Sequence, residues 1–300
     1  MKNSAIRSDL VLLLAALIWG FAFVAQRVGM DFVGPFTYTA VRFSLGALVL
    51  VPFLLFRKNK PFNNLKPGPG EKKKIMLLQL LMGLLLFGGV SFQQYGLQFT
   101  TAGNAGFITG FYVVLVPVAG LFLNHRNHYS IWIGVALATA GMYFLSVTRH
   151  FSVNPGDYYV LVCAFIWAAH VLVMGYVAPR SDVIRTALVQ FVICSFLSWL
   201  VAIGWENIQW NAILEASWPI LYGGIMSVGI AYTLQVVAQQ KAHPAYASII
   251  LSLETVFAVL GGWIVLHEPM TGRIIFGCCL MLAGMVVAQI SNSRSGAVRN

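Results

Sequence analysis

Charge is scarce in this sequence. Only 9% of its 300 residues are Asp, Glu, Lys or Arg, against roughly a quarter in a soluble globular domain. Acidic residues are scarcer still, nine against nineteen basic ones. A water-soluble enzyme surface cannot be built from so few charges. Cysteine is also rare. Cys163, Cys194, Cys278 and Cys279 all fall within apolar runs, which leaves no disulfide framework. There is no phosphate-cradling Gly-Lys-Ser/Thr loop and no HExxH pair, so ATP-driven chemistry and zinc hydrolysis have no visible seat. No cofactor and no metal site is expected; His125 and His128 share a short turn that no Cys or carboxylate joins.

What the chain has instead is apolar length: 59% of its residues are hydrophobic. A helix crossing the ~30 Å hydrocarbon core needs about 20 mostly apolar residues. Ten segments qualify: 10–29, 35–56, 75–98, 103–123, 130–148, 157–177, 182–203, 217–240, 244–266 and 272–291. The first is kept as a helix rather than a cleaved signal, because no small-x-small cleavage site follows it. The net charge of +10 does not indicate nucleic acid, since seven of the nineteen basic residues crowd into the loop 57–74 and most others lie between spans. With the N-terminus inside, fifteen Lys/Arg fall on the inner side and only Arg27, Arg149 and Arg273 on the outer. The positive-inside rule then places both termini in the cytoplasm, and the expected location is the cell inner (plasma) membrane.

The chain also repeats itself. Aligning Trp19 in "ALIWGFAFV" with Trp167 in "AFIWAAHVL" puts Val41–Phe43 ("VRF") on Val189–Phe191 ("VQF") without a gap. Further on, Gly88, Gln94 and Gln98 fall on Gly229, Gln235 and Gln239. "NAGFITGFYVVLVP" (104–117) falls on "YASIILSLETVFAV" (246–259), and "ALATAGM" (136–142) on "CLMLAGM" (279–285). The expected fold is an all-α integral membrane protein of two repeats, 10–148 and 157–291. Each has five spans, an odd number, so the second enters the bilayer upside down. Inverted repeats of this kind are a device of secondary transporters.

"ALIWGFAFV", "YGLQFTTAGNAGFITGFYVVLVP" (95–117) and "ASIILSLETVFAVLGGWIVLHEP" (247–269), followed by "GCCLMLAGMVVA", resemble the paired EamA domains of the drug/metabolite transporter superfamily over nearly the whole chain. The resemblance implies ten helices, cytoplasmic termini and movement of small metabolites such as amino acids or drugs, often outward. The sequence departs from the family's commonest pattern at Thr255, where a proline often follows the glutamate, so the resemblance does not itself imply a kink there.

Candidate pathway residues are Trp19, Phe23, Arg42, Gln94, Tyr112, Trp167, His170, Gln235 and Glu254. Arg42, His170 and Glu254 are ionisable groups deep in spans, each costing ~2.5–3.5 kcal/mol unless it faces a cavity or a partner. Glu254 reads either as a proton relay or ligand contact, or as a hydrogen-bond clamp. Arg42, seven residues into its helix, either pairs inside or snorkels outward. Trp19 and Trp167 hold equivalent positions and supply flat walls for an amphipathic solute; Phe23 extends the first wall, and Tyr112 is the residue equivalent to Glu254. Gln94 with Gln98, and Gln235 with Gln239, stand at mirrored depths suited to two mouths. The expected function is alternating-access export by a monomer, with small solutes, lipid and protons as partners. The alternative is an intramembrane enzyme or lipid-handling protein on the same frame, but Glu254, Arg42 and His170 come from three helices and lack a second carboxylate.

Overall fold

A computed structural model describes residues 2–56, 69–100, 102–124, 127–146, 155–267 and 269–295. Those residues are almost wholly helical. The helices are α1 (Lys2–Gly29), α2 (Pro35–Phe56), α3 (Pro69–Gly96), α4 (Ala102–Gly110), α5 (Tyr112–Phe122), α6 (Tyr129–Ser146), α7 (Pro155–Val177) and α8 (Val183–Trp205). They continue as α9 (Trp210–Glu215), α10 (Ser217–Leu221), a π-helical stretch (Tyr222–Tyr232), α11 (Thr233–Gln239), α12 (Pro244–Leu251), α13 (Glu254–Val265) and α14 (Gly272–Ser295). Eight spans are long and apolar enough to cross a bilayer, and α6 and α14 add shorter apolar stretches, 129–144 and 272–288. These make up the ten crossings read from the sequence. Large apolar side chains face outward, as lipid requires: Phe53 is 61% exposed and Phe122 85%.

The structure departs from the expected spans in several places, among them the start of α1, at Lys2 rather than 10. α3 starts at Pro69 rather than 75, because proline suits the first helical position and the lysines that follow extend the helix beyond its apolar part. Most of the basic loop, 57–68, lies outside the described residues, as does His125. The expected spans 103–123 and 244–266 are each broken in the middle, into α4/α5 and α12/α13. The span 217–240 is continuous, but half of it is π-helix.

Close helix pairs hold the bundle together. α6 and α14 pack through glycines: a Cβ on Gly134 would stand 2.8 Å from the Gly284 carbonyl oxygen, and one on Gly141 2.6 Å from that of Gly277. Since 134 meets 284 and 141 meets 277, the two helices run antiparallel. In the repeat alignment Gly134 corresponds to Gly277 and Gly141 to Gly284, so these are one contact made twice. α2 and α8 pair in the same reciprocal way, with the equivalent residues Phe43 and Phe191 edge to face at 5.9 Å. In lipid, where apolar surface has no reason to leave its solvent, such backbone approach supplies the packing that holds helices together.

One end of the bundle is tied by Arg180, which sits 3.7 Å from Glu71 and over the Tyr176 ring, where Lys74 also packs. At the other end Glu206, closing α8, caps the start of α2. Its carboxylate accepts from the backbone N–H of Phe36 (2.8 Å) and Thr37 (2.7 Å) and from the Thr37 hydroxyl (2.6 Å). These are orphan donors of a helix N-terminus, met from 170 residues away.

Gly284→Leu should destabilise the purified protein by about 1–3 kcal/mol or more, seen as a lower thermal unfolding midpoint in detergent. Gly204→Ala, where nothing lies within 4 Å of the added methyl, should be neutral or stabilising by ~0.4–1 kcal/mol. Equal behaviour of the two would dismiss the glycine seam. Glu206→Ala should cost about 0.5–2 kcal/mol through the lost cap, measured in the same way.

Candidate functional site

The two helix breaks fall at equivalent positions. Phe111 separates α4 from α5, and Ser252–Leu253 separates α12 from α13; the alignment sets 111 on 253. The local bonding matches as well. Phe111 N–H donates to Ile108 O at 3.2 Å, and Leu253 N–H to Ile250 O at 3.1 Å, three-residue bonds that tighten the turn before the helix resumes. Ser252 and Ser248 hydroxyls donate back to Ile249 O and Ala245 O, both at 2.8 Å, satisfying carbonyls in α12. Across the two halves, the Thr255 hydroxyl donates to Gly106 O at 3.1 Å.

The first residue after each break is Tyr112 in one half and Glu254 in the other. They meet: the Tyr112 hydroxyl donates to Glu254 Oε1 at 3.2 Å. Both are buried. They line a central cavity of about 40 Å³, room for a few waters. Its walls include Trp19, Phe23, Arg42, Trp167 and Gln235 from the sequence reading. Tyr232 also lines it, edge-on to Trp19 (4.7 Å between centroids) and stacked on Trp167 (6.0 Å). The Trp19 indole N–H donates to Ser227 O at 3.3 Å. Ser227 and Tyr232 both belong to the π-helical stretch, whose wider winding turns them toward the same space.

Arg42 does not snorkel; it is 3% exposed. Its stem lies against Gly223, and its guanidinium packs near the rings of Tyr38 (5.3 Å) and Phe43 (5.2 Å). It shares the cavity with Glu254 without forming an ion pair within 4.0 Å.

Two sequence candidates lie off the cavity. His170 is fully buried with Nε2 2.9 Å from Gln190 Oε1 and its ring edge-on to Trp167; it braces that tryptophan from behind. Gln94 is buried one residue out of phase, its Nε2 3.5 Å from Gln26 O. Its neighbour Gln93 faces the cavity and donates to Thr109 Oγ1 at 3.2 Å. The candidates read from the sequence did not include Gln26, Gln93, Thr109, Ser227 and Tyr232, although Gln26 shares the helix face of Trp19 and Phe23. Gln26 and Gln93 carried a signal, as polar residues inside spans; the turn-by-turn phase that selects Gln93 over Gln94 did not.

A second, wider space of about 540 Å³ opens at the Arg180 end, between Tyr176, Gln239, Gln240 and Lys241–Pro244. Gln235 lines the central cavity and Gln239, one turn on, lines this vestibule. Between them Gln239 Nε2 donates to Val171 O at 3.2 Å, and Val171 is itself a cavity wall. At the opposite end the Thr100 hydroxyl donates to Asp157 at 2.5 Å. Among the described residues no group of three His, Cys, Asp or Glu gathers as a metal site.

Comparison with known proteins agrees with this architecture. A transporter of Archaeoglobus fulgidus, itself uncharacterized, is 32% identical over 285 residues, covering 94% of this chain and 86% of its own. The inner membrane transporter YedA of Escherichia coli K12, also uncharacterized, is 25% identical over 262 residues, 82% of this chain and 78% of its own. A solved crystal structure shares the fold with a TM-score of 0.76 at 20% identity, over 96% of this chain and 98% of that one. The relatives are named as transporters and not as enzymes. The model of the EamA-like transporter family matches residues 6–147 and again 154–289. The chain is a multi-pass membrane protein and belongs to the EamA-like transporter family.

Proposed function

We propose that the protein is a proton-coupled secondary carrier that exports small organic solutes across the cell inner membrane by alternating access. Its two halves, 10–148 and 157–291, are inserted in opposite senses, and both termini lie in the cytoplasm. The observation that carries this reading is the meeting of two equivalent broken helices at Tyr112–Glu254, beside a small central cavity lined by residues of both halves. Discontinuous helices at mid-membrane suit a solute site between repeats. The antiparallel α6–α14 seam and the Phe43–Phe191 pair support the inverted relation, because each is a contact that a twofold exchange of the halves maps onto itself.

The cavity volume adds a mechanical argument. A site holding a metabolite needs roughly 300–1,000 Å³, and the central space has about 40 Å³. The described conformation is therefore read as occluded, and loading requires the halves to part. The thinner barrier is the Gln239–Val171 bond, at the vestibule and one helical turn from the cavity-lining Gln235. That end carries Lys74, Arg180 and Lys241, so it is the cytoplasmic end by the positive-inside rule, and the vestibule serves as the loading mouth for export. One chain encloses the whole cavity, which suits a monomer. Trp19, Phe23, Trp167 and Tyr232 hold the apolar body of the solute. Gln235 and Glu254 offer polar contacts, and Glu254 carries the coupling proton. His170 acts by bracing Trp167. Gln94 helps to close the end opposite the vestibule through Gln26.

Glu254→Gln keeps shape and hydrogen bonding but cannot titrate. In proteoliposomes, flux driven by a pH gradient should fall to background while solute exchange and the unfolding midpoint stay near those of the parent. Parent-like gradient-driven flux would end the relay role. Trp19→Ala and Trp167→Ala should each reduce flux more than folded yield; parallel loss of both would mark them as packing residues. For orientation, a cysteine at Asn207 should react with an impermeant thiol reagent in intact cells, and one at Asn124 should be shielded. The reverse pattern would invert the topology and the direction of export.

A further inference from the structure

Arg42 is the odd group in the cavity. It is buried, it lines the space, and it makes no hydrogen bond or ion pair with any described residue; its Nε is a buried donor without an acceptor. The repeat explains why. Arg42 is equivalent to Gln190, and Gln190 is engaged by His170. The position equivalent to His170 in the first half is Ala22, a methyl group with nothing to accept a bond. The mirrored partner is therefore missing on the Arg42 side. Tyr38 and Phe43 pack near its guanidinium, but a ring offers a cation its π cloud and no oxygen acceptor. Its in-plane N–H groups, the fork that matches a carboxylate in two parallel bonds, stay unused. An unpaired charge in this setting is costly, and among the described residues the only other ionisable side chain on the cavity wall besides Tyr112 and Tyr232 is Glu254, which is held by Tyr112 instead.

We infer that Arg42 is the docking point for an anionic head group of the solute, and that the solute is a small monocarboxylate with a flat apolar body lying against Trp19, Trp167 and Tyr232. This rests on the transport reading above and sharpens it to a substrate class. Binding supplies the in-plane acceptors that the protein lacks, and with them the charge that balances Arg42. A neutral solute of the same shape would leave the guanidinium stranded, so the site selects acid over amide.

The full-length protein, purified in detergent, is heated with benzoate, phenylacetate and hexanoate, each paired with its primary amide. Acids of the panel should raise the unfolding midpoint by on the order of a few °C when well above their Kd, phenylacetate and benzoate more than hexanoate, and the amides should not. Arg42→Gln should abolish the shift and Arg42→Lys retain part of it. Equal stabilisation by acid and amide overturns the inference, as does a panel in which no acid acts, or a folded Arg42→Gln protein that keeps the acid response. If the variants do not fold, the acid–amide contrast on the parent decides. Flux separates this inference from the transport reading. Acids that stabilise through Arg42 yet never cross proteoliposomes uphold the anion site and sink transport. Amides carried equally by parent and Arg42→Gln uphold transport and sink the anion site.

Discussion

In hydrocarbon a backbone N–H or C=O without a partner costs several kcal/mol, and no water is at hand to supply one. That constraint shapes the centre of this molecule. A helix may break at mid-membrane only where the freed groups are buried against protein. α4/α5 and α12/α13 meet the condition by breaking at the same depth and facing each other. Three-residue backbone bonds, the hydroxyls of Ser248 and Ser252, and the reach of Thr255 to Gly106 absorb most of what the breaks release. The cavity exists because the breaks do: each one re-aims the next residue, Tyr112 or Glu254, away from the helix stripe and toward the axis between the halves.

Much of this was legible in the sequence. Spans announce themselves because lipid forbids charge over about 20 residues, and the repeat showed in aligned Trp, Gly and Gln positions. Trp19, Arg42, Trp167 and Glu254 stood out because polar or large amphipathic groups deep in a span need a reason to be there. The breaks were not legible. Apolar composition is the same on either side of Phe111 and Leu253, and the proline that would have marked α13 is Thr255. The π-helical winding of 222–232 leaves no trace in composition either, so Ser227 and Tyr232 were missed. Gln94 was chosen because it aligns with Gln235 and stands one turn from Gln98; Gln93 faces the cavity instead, since one residue along a helix turns a side chain by about 100°.

Under the repeat alignment, the packing positions match and the cavity positions do not. The seams that hold the helices together keep identical residues in both halves, glycine on glycine and Phe43 on Phe191, because close packing tolerates little variation at a self-mated contact. The positions at the cavity differ instead. Tyr112 answers Glu254, Arg42 answers Gln190, and Ala22 answers His170. One half thus contributes the cation and the other the carboxyl. A cavity made of two identical halves would set like charge against like across the axis, whereas divergence at these positions gives it two poles.

The closures at the two ends differ in a way that bears on motion. In the second half Gln239 is buried and bonded to Val171 O, completing the barrier next to the vestibule. Its equivalent, Gln98, is exposed, and the residue equivalent to Val171 is Phe23, already a wall of the cavity. The same pair of positions is therefore engaged in one half and disengaged in the other. On the proposed repeat relation, the disengaged arrangement is one that the other half would adopt in turn. If the halves exchange arrangements, the Gln239–Val171 barrier releases toward the vestibule while Gln98 folds in toward Phe23 at the far end. The seams can remain intact through that exchange, since α6–α14 and Phe43–Phe191 are mapped onto themselves by it. Alternating access, as proposed, would then need no new interface, only a trade of which half holds the tighter contact.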